Sequence, residues 1–390
     1  MRHIAIVGGG IGGLAAAAAL ARAGLRPRVY EQTSRLTEVG AGLQLAPNAT
    51  RLLDRLGLGR YLAEVAVQPS AVELRRWDDG ALLDRTELGA RCEQLYGARY
   101  YTVHRADLHD GLRRTLDPDL LRLGFRCTGL TAGQDRAVLR FEDRDDVTAD
   151  VVVGADGIRS VIRATLVADR PRYSGQLVYR GLVPARMVPF QRADPRVLIW
   201  VGPGRHCVCY PVRRGELVSF AATVPSDDPL GESWRAEGRI ENLAEAYRGW
   251  TDEVGQLFTA ADRVHRWALH DRDATDRWGA GPLTLLGDAA HPMLPFMAQG
   301  ANQAIEDAAT LAACLRPEVS TQALRRYEEL RRPRTAEVQA LSRANARVLH
   351  RPAAGVGNAQ DIRNKRWLFG YDAELAAAER CTVPPAPRQD

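Results

Sequence analysis

The chain has 390 residues, 45% hydrophobic and 26% charged, the composition of a globular protein long enough for two intertwined domains. Its net charge of +5 would suit a nucleic-acid partner, yet Lys365 is the only lysine and the arginines are scattered, so no such binding patch is expected. No apolar run approaches the length of a membrane span, and the chain enters a strand at once, so neither an anchor nor a signal peptide is expected.

From the N-terminus, HIAIVGGGIGGLAAAAALARAG reads as a buried strand over Ile4–Val7, a tight turn and an alanine-rich helix ending near Gly24. Gly8, Gly10 and Gly13 stand in GxGxxG spacing, and the next strand, RPRVYEQ, ends at Glu31. This is the dinucleotide fingerprint in its expected context. The first glycine permits the turn, the second lets backbone reach a pyrophosphate, and the third lets the helix pack closely with its N-terminus facing the anion. A carboxylate at Glu31 can accept from both hydroxyls of an adenosine ribose, which suits FAD or NAD. Further on, GAGLQLAPN carries Gln44 and HRADLH (His104–His109) carries Arg105, which could instead form a surface pair with Asp107. VVVGADGIRS (Val151–Ser160) is a second strand-to-turn stretch, with Asp156, Gly157 and Arg159 beyond the strand.

Between Pro171 and Trp267 the texture changes to alternating strands, QLVYRGLVPA, RVLIWVGPGRHCVCYPVRRG and ELVSFAATVP, which read as an antiparallel sheet. Residues two apart in a strand share a face, so His206, Val208 and Tyr210 point the same way. A histidine and a tyrosine so aligned can bind and deprotonate a phenol, although a satisfied core histidine is the plainer alternative. GPLTLLGDAAHPMLPFMAQGANQAIEDA then gives a strand over Leu283–Leu286, Gly287 and Asp288, a turn through Pro292 and Pro295, and a helix from about Ala301 after Gly300. An acid beside a helix N-terminus suits a ribityl chain at Asp288 and an isoalloxazine edge over the Gly300, Ala301 and Asn302 amides. A capped helix without a ligand is the simpler reading of that stretch.

From Leu311 to Ala346 the pattern is helical, with Arg332-Pro333 as an expected interruption. RRYEELRRPR (Arg325–Arg334) reads as a solvated face. Beyond Pro352, AAGVGNAQD reads as a loop and PPAPRQD as a tail without fixed structure. Gly40-x-Gly42, Gly202-x-Gly204, Gly279-x-Gly281 and Gly355-x-Gly357 lack a third glycine, so no second dinucleotide domain is expected. Cys92, Cys127, Cys207, Cys209, Cys314 and Cys381 include no CxxC pair, which argues against a zinc knuckle or redox disulfide and for reduced thiols of a cytoplasmic protein.

Taken in order, GGGIGG with Glu31, HRADLH, GADGIRS and GDAAHPMLPFMAQGANQAIEDA resemble the FAD-dependent aromatic hydroxylases of the para-hydroxybenzoate hydroxylase type, the group A flavin monooxygenases, across most of the first 315 residues. The resemblance implies an α/β fold. A Rossmann-like FAD domain of the glutathione reductase type (1–70, 96–170 and 268–316) would interleave with an antiparallel-sheet substrate domain (71–95 and 171–267), before a helical C-terminal segment (317–390). It implies that Arg105 contacts the FAD chain, that Asp156 and Gly157 shape a turn near the phosphates, and that Arg159 offers a fork for phosphate. Pro295 and the helix beginning at Gly300 would orient the flavin.

The activity implied is hydroxylation of an aromatic hydroxy acid: NAD(P)H, bound transiently, reduces FAD, and oxygen adds at the flavin C4a carbon to give the hydroxylating hydroperoxide. His206 would take the phenolic proton directly or through Tyr210, while Gln44 and a nearby arginine hold the carboxylate. A monomer or homodimer is expected to act on a small substrate with molecular oxygen. The narrower likeness, including WLFGYDA (Trp367–Ala373), is to the 3-hydroxybenzoate 6-hydroxylases, salicylate hydroxylases and 6-hydroxynicotinate 3-monooxygenases. Gln44 and Val197 stand where the hydroxynicotinate enzymes have a histidine and a cysteine, which favours a carbocyclic acid. The alternatives are a monooxygenase for a larger natural product and a non-catalytic relative that has lost the flavin.

Overall fold

Three apolar runs, Ile4–Val7, Val151–Gly154 and Leu283–Leu285, are buried at every position, as strands covered on both faces must be. In the computed structural model, which describes residues 2–36, 41–192, 194–227, 237–350 and 362–382, they lie side by side in a parallel sheet. Its order is Leu283–Leu285, Val151–Gly154, Ile4–Val7, Pro27–Glu31 and Leu121–Leu123. The Ile11–Arg22 helix covers it. Ala15, Ala16 and Ala17 of that helix are wholly buried, and it packs on the Gly300–Leu315 helix, whose own alanines permit the close approach. Among the described residues, no helix is long and apolar enough to cross a membrane.

A second, eight-stranded sheet holds the 172–271 strands and the 71–87 hairpin. It is antiparallel except where Val197–Gly202 pairs parallel with Ala71–Arg76, so the expected all-antiparallel sheet is corrected to a mixed one. One face of the sheet buries Cys207, Cys209, Trp200 and Phe220 in its own core. The opposite face looks toward the parallel sheet.

The C-terminal region departs most from expectation. Thr321–Leu349 is one continuous helix through Pro333, capped where the Ala323 amide donates to the Ser320 hydroxyl. An internal proline costs about 3 kcal/mol, and the anchoring on either side of it offsets that cost. Arg331 and Arg334, expected on a solvated face, are only 0% and 6% exposed. Arg331 donates to Asp307 (2.7 Å) and Glu306 (2.6 Å), and Arg334 donates to both Glu306 oxygens (2.7 and 2.9 Å). The Arg334 guanidinium also lies 4.5 Å from the Trp367 ring centroid and 3.9 Å from that of Tyr371. WLFGYDA thus caps a buried ion network. The AAGVGNAQD loop, the PPAPRQD tail, Gly40, Gly355 and Gly357, and the Cys381 side chain lie outside the described residues.

Candidate active site

Because the strands of the smaller sheet are parallel, Gly8, Glu31, Asp156 and Asp288 all emerge at its carboxyl edge, where open α/β sheets hold ligands. A Cβ on Gly8 would stand 2.3 Å from the Ala155 carbonyl oxygen, and one on Gly13 would stand 1.9 Å from that of Gly8. Protein packing alone therefore demands those two glycines. Around a Cβ on Gly10 nothing lies within 4 Å, so this glycine keeps open the space at the helix N-terminus that a pyrophosphate would fill. Glu31 accepts from the Gly9 amide (2.7 Å) and the Thr33 amide (2.9 Å), which fixes its carboxylate at the rim of that space.

Asp156 is used within its own turn, its two oxygens accepting from the Ser160 hydroxyl (2.5 Å) and the Val161 amide (2.7 Å). Gly157 beside it has a positive φ, and the Arg159 side chain is exposed. Asp288 is surrounded by protein yet open to solvent within the crevice. Desolvation there pushes its carboxyl pKa up, against the pull of His291 and Arg105. The turn that carries Asp288 is pinned from behind, since Asp307 accepts from the Gly287 amide (2.9 Å) and pairs with His291 (2.6 Å).

Gly300 opens the Gly300–Leu315 helix and Ala301 follows it, just beyond the Pro295–Met297 turn. Asn302 is wholly buried and ties the helix to the Gly42–Leu45 strand: its side chain accepts from the Ala46 amide (2.9 Å) and donates to the Gln44 carbonyl (3.0 Å). Arg105 begins the Arg105–Arg114 helix and acts electrostatically on both Asp288 and Arg180.

The opposite face of the large sheet approaches this region through Tyr210, against Gly42, and His206, against Phe296. His206 and Tyr210 share that face, with Arg180 two strands away, level with Val208 through Ala221. Four residues of strand separate His206 from Tyr210, roughly 13 Å, so the two side chains have different neighbours. Tyr210 bonds to Gln44 and Ser219, and Gln44 also accepts from the Tyr100 hydroxyl (2.6 Å). A Cβ on Gly42 would meet the Tyr210 ring at 2.4 Å, so the glycine makes room for the tyrosine. Val197 is wholly buried in the cluster around the Tyr210 ring.

At the other end, the His206 ring meets Phe296 edge-on at 5.4 Å and has Thr223 Oγ1 and His350 Nε2 beside its Nδ1. Burial and the neighbouring His350 push its pKa down to about 3, so the ring is neutral at neutral pH. The Arg180 guanidinium stands 4.8 Å from the Trp267 ring centroid, and its Nε has no hydrogen-bond partner among the described residues. Desolvation lowers its pKa, which marks a cation short of a counter-charge.

The predicted cofactor residues lie at strand ends and in the turns and helix starts that follow the strands, while His206 and Tyr210 lie on one face of the large sheet and Tyr210 contacts Gln44. No hydrogen bond among the described residues joins His206 to Tyr210. Three residues escaped the sequence reading. Arg180 could have been found as the one charged residue inside QLVYRGLVPA, whereas Tyr100 and His350 carry no local signal.

A parallel sheet with the dinucleotide fingerprint at its carboxyl edge and a second sheet beside it is the build of a dinucleotide-binding protein. A family model described as an FAD binding domain matches residues 1–342. A 3-amino-4-hydroxybenzoate 2-monooxygenase of Streptomyces platensis is 48% identical over 381 residues, 95% of this chain and 96% of that protein. A 6-hydroxynicotinate 3-monooxygenase of Bordetella bronchiseptica is 35% identical over 376 residues, 95% of each. Among solved structures, a salicylate hydroxylase substrate complex gives a TM-score of 0.82 at 27% identity and covers 99% of both chains. The chain belongs to this FAD-binding family and is a flavin-dependent aromatic hydroxylase, with FAD as cofactor and NAD(P)H as reductant.

Proposed function

We propose that the protein hydroxylates an amino-hydroxybenzoate, with 3-amino-4-hydroxybenzoate as the first candidate. The observation that carries this is the pairing of Arg180, short of a counter-charge, with neutral His206 on one face of the sheet. A ring acid with a carboxylate at one end and a phenol at the other matches that face. The 48% identity to an enzyme named for this compound supports the same reading.

In this reading Gly8, Gly10, Gly13, Glu31 and Arg105 hold the adenosine and pyrophosphate of FAD. Asp156, Gly157 and Arg159 maintain the adjoining turn, and Asp288, Pro295, Gly300, Ala301 and Asn302 hold the ribityl chain and flavin ring. When bound, FAD takes electrons from NAD(P)H and activates molecular oxygen. The chain's own work is binding and proton transfer. Arg180 pairs with the carboxylate, and Gln44, Tyr100 and Tyr210 form a polar wall that orients the ring. His206 accepts the phenolic proton at Nε2, which raises the ring's electron density for attack by an electrophilic oxygen. A cytoplasmic setting is supported by the free thiols of Cys92, Cys127, Cys207, Cys209 and Cys314.

The test is NADH and NADPH oxidation by the flavin-loaded protein, with peroxide followed in parallel, using 3-amino-4-hydroxybenzoate, 6-hydroxynicotinate, 3-hydroxybenzoate and salicylate. Strong stimulation by the first, little peroxide, and a product heavier by one oxygen are expected. Stimulation by another acid alone would replace the substrate assignment.

A further inference from the structure

His350 caps the C-terminus of the Thr321–Leu349 helix, 144 residues beyond His206 in sequence, yet its Nε2 lies 3.0 Å from His206 Nδ1. The two rings are tilted by 31° with centroids 5.2 Å apart, and both stand against Phe296. The His350 carbonyl accepts from the Gly204 amide (3.1 Å), which fastens the helix end to the turn just before the His206 strand. The pair is therefore held in place from both sides. His206 is 6% exposed, while His350 is half-buried and stands nearer to solvent.

Among the described residues, no other charge perturbs either ring. Thr223 faces it from the neighbouring strand and Phe296 from the Pro295–Met297 turn, and Tyr247 donates to the His206 carbonyl (2.7 Å). Asn345, earlier on the helix, donates to the Phe296 carbonyl (2.6 Å), and Arg205 turns away to the Ala246 carbonyl. Were Nδ1–H of His206 donated to His350 Nε2, the His206 Nε2 lone pair would be left available. His206 would then be in the tautomer that a base requires.

We propose that His350 is a positioning residue that also drains the proton, the second imidazole of a relay resting on the base role of His206. The phenol O–H breaks as its proton joins His206 Nε2, the Nδ1 proton of His206 passes to His350 Nε2, and the Nδ1 proton of His350 leaves to water. Burial holds the two rings at about 3 and about 4, so neither retains the proton at neutral pH. The charge reaches solvent without a lasting imidazolium beside the substrate.

The experiment mixes flavin-loaded protein with 3-amino-4-hydroxybenzoate, 3-hydroxybenzoate or 6-hydroxynicotinate in weak buffer. An indicator dye reports proton release while ligand absorbance reports ionisation. His350→Gln keeps an oxygen to accept from His206 Nδ1 but cannot pass a proton on, and His350→Leu keeps neither function. The relay predicts that His350→Gln binds ligand normally but releases the proton at least about tenfold more slowly, with added imidazole restoring the rate. A wild-type rate in His350→Gln, with only His350→Leu impaired, would show that the ring merely props His206, and would overturn the relay.

Ligand ionisation that survives His206→Gln would defeat the base reading and the relay with it. Nitrogen NMR of the ligand-free protein gives a check that needs no ligand. His206 protonated at Nε2 instead of Nδ1 would overturn the relay outright.

Discussion

Arg180 is the residue whose environment says most about the ligand. Its Nε, buried near Trp267 with no partner among the described residues, is a donor that an incoming anion would satisfy. Truncating one partner of a buried charged pair costs about 2–5 kcal/mol of binding. Arg180→Met is therefore expected to weaken binding of the carboxylate substrate by about a hundredfold, while an aminophenol lacking the carboxylate binds as before. A parallel titration of the two ligands, read by flavin absorbance, checks this.

His206 has a second consequence through its pKa. Held at about 3 against an ordinary 6.5, it stays neutral when folded while the unfolded chain takes up a proton between those values. Its contribution is complete above pH 6.5 and is lost as pH falls toward 3. Urea denaturation at pH 7.5 and pH 4.5 should show wild type losing more stability on acidification than His206→Gln does.

At the scale of elements, the glycine loop separates two demands that its sequence motif merges. Gly13→Ala would drive a Cβ into the Gly8 carbonyl at 1.9 Å, whereas Gly10→Ala meets open space. Gly10→Ala is expected to leave the melting temperature of flavin-free protein unchanged but to cut flavin affinity; Gly13→Ala should lower both. Melting curves and flavin titration of the two variants distinguish these outcomes.

The same elements show what the sequence made legible. Local patterns were enough for the buried strands, the GxGxxG turn and the alternation that puts His206 and Tyr210 on one face, because each depends on spacing within a few residues. The burial of Arg331 and Arg334 was not legible. Their partners, Glu306 and Asp307, lie on another helix, and a charge-rich segment has the same composition whether it meets water or buried carboxylates. Helix continuity through Pro333 was hidden for the same reason, since the anchoring comes from outside the segment. The pairing of His206 with His350 depends on the whole path of the chain.

Across the molecule, the Thr321–Leu349 helix, about 43 Å long, joins the two sheets. Near its middle Arg331 and Arg334 grip the carboxylates of the Gly300–Leu315 helix. Toward its Leu349 end, Arg343 pairs with Asp271 of the large sheet (2.5 Å) and His350 meets His206. The Asp307 carboxyl, held at about 2 by His291 and Arg331 despite its burial, also fixes the turn before Asp288. Removing one partner from a buried network leaves uncompensated charge at a cost of about 3–5 kcal/mol. Arg331→Met is expected to lose that much in urea denaturation and, by loosening the Asp288 turn, to weaken flavin binding as well.

Trp267 sits where the Arg180 guanidinium covers its indole, on the sheet face that also carries His206 and Tyr210. An indole in that position is an optical probe built into the site, because its emission depends on the field of the cation above it and on energy transfer to any chromophore that enters the crevice. Subtracting the spectrum of Trp267→Phe from that of the whole protein would isolate its signal from the other six tryptophans. The arrival of cofactor and of substrate could then be timed separately, by light, before any turnover begins.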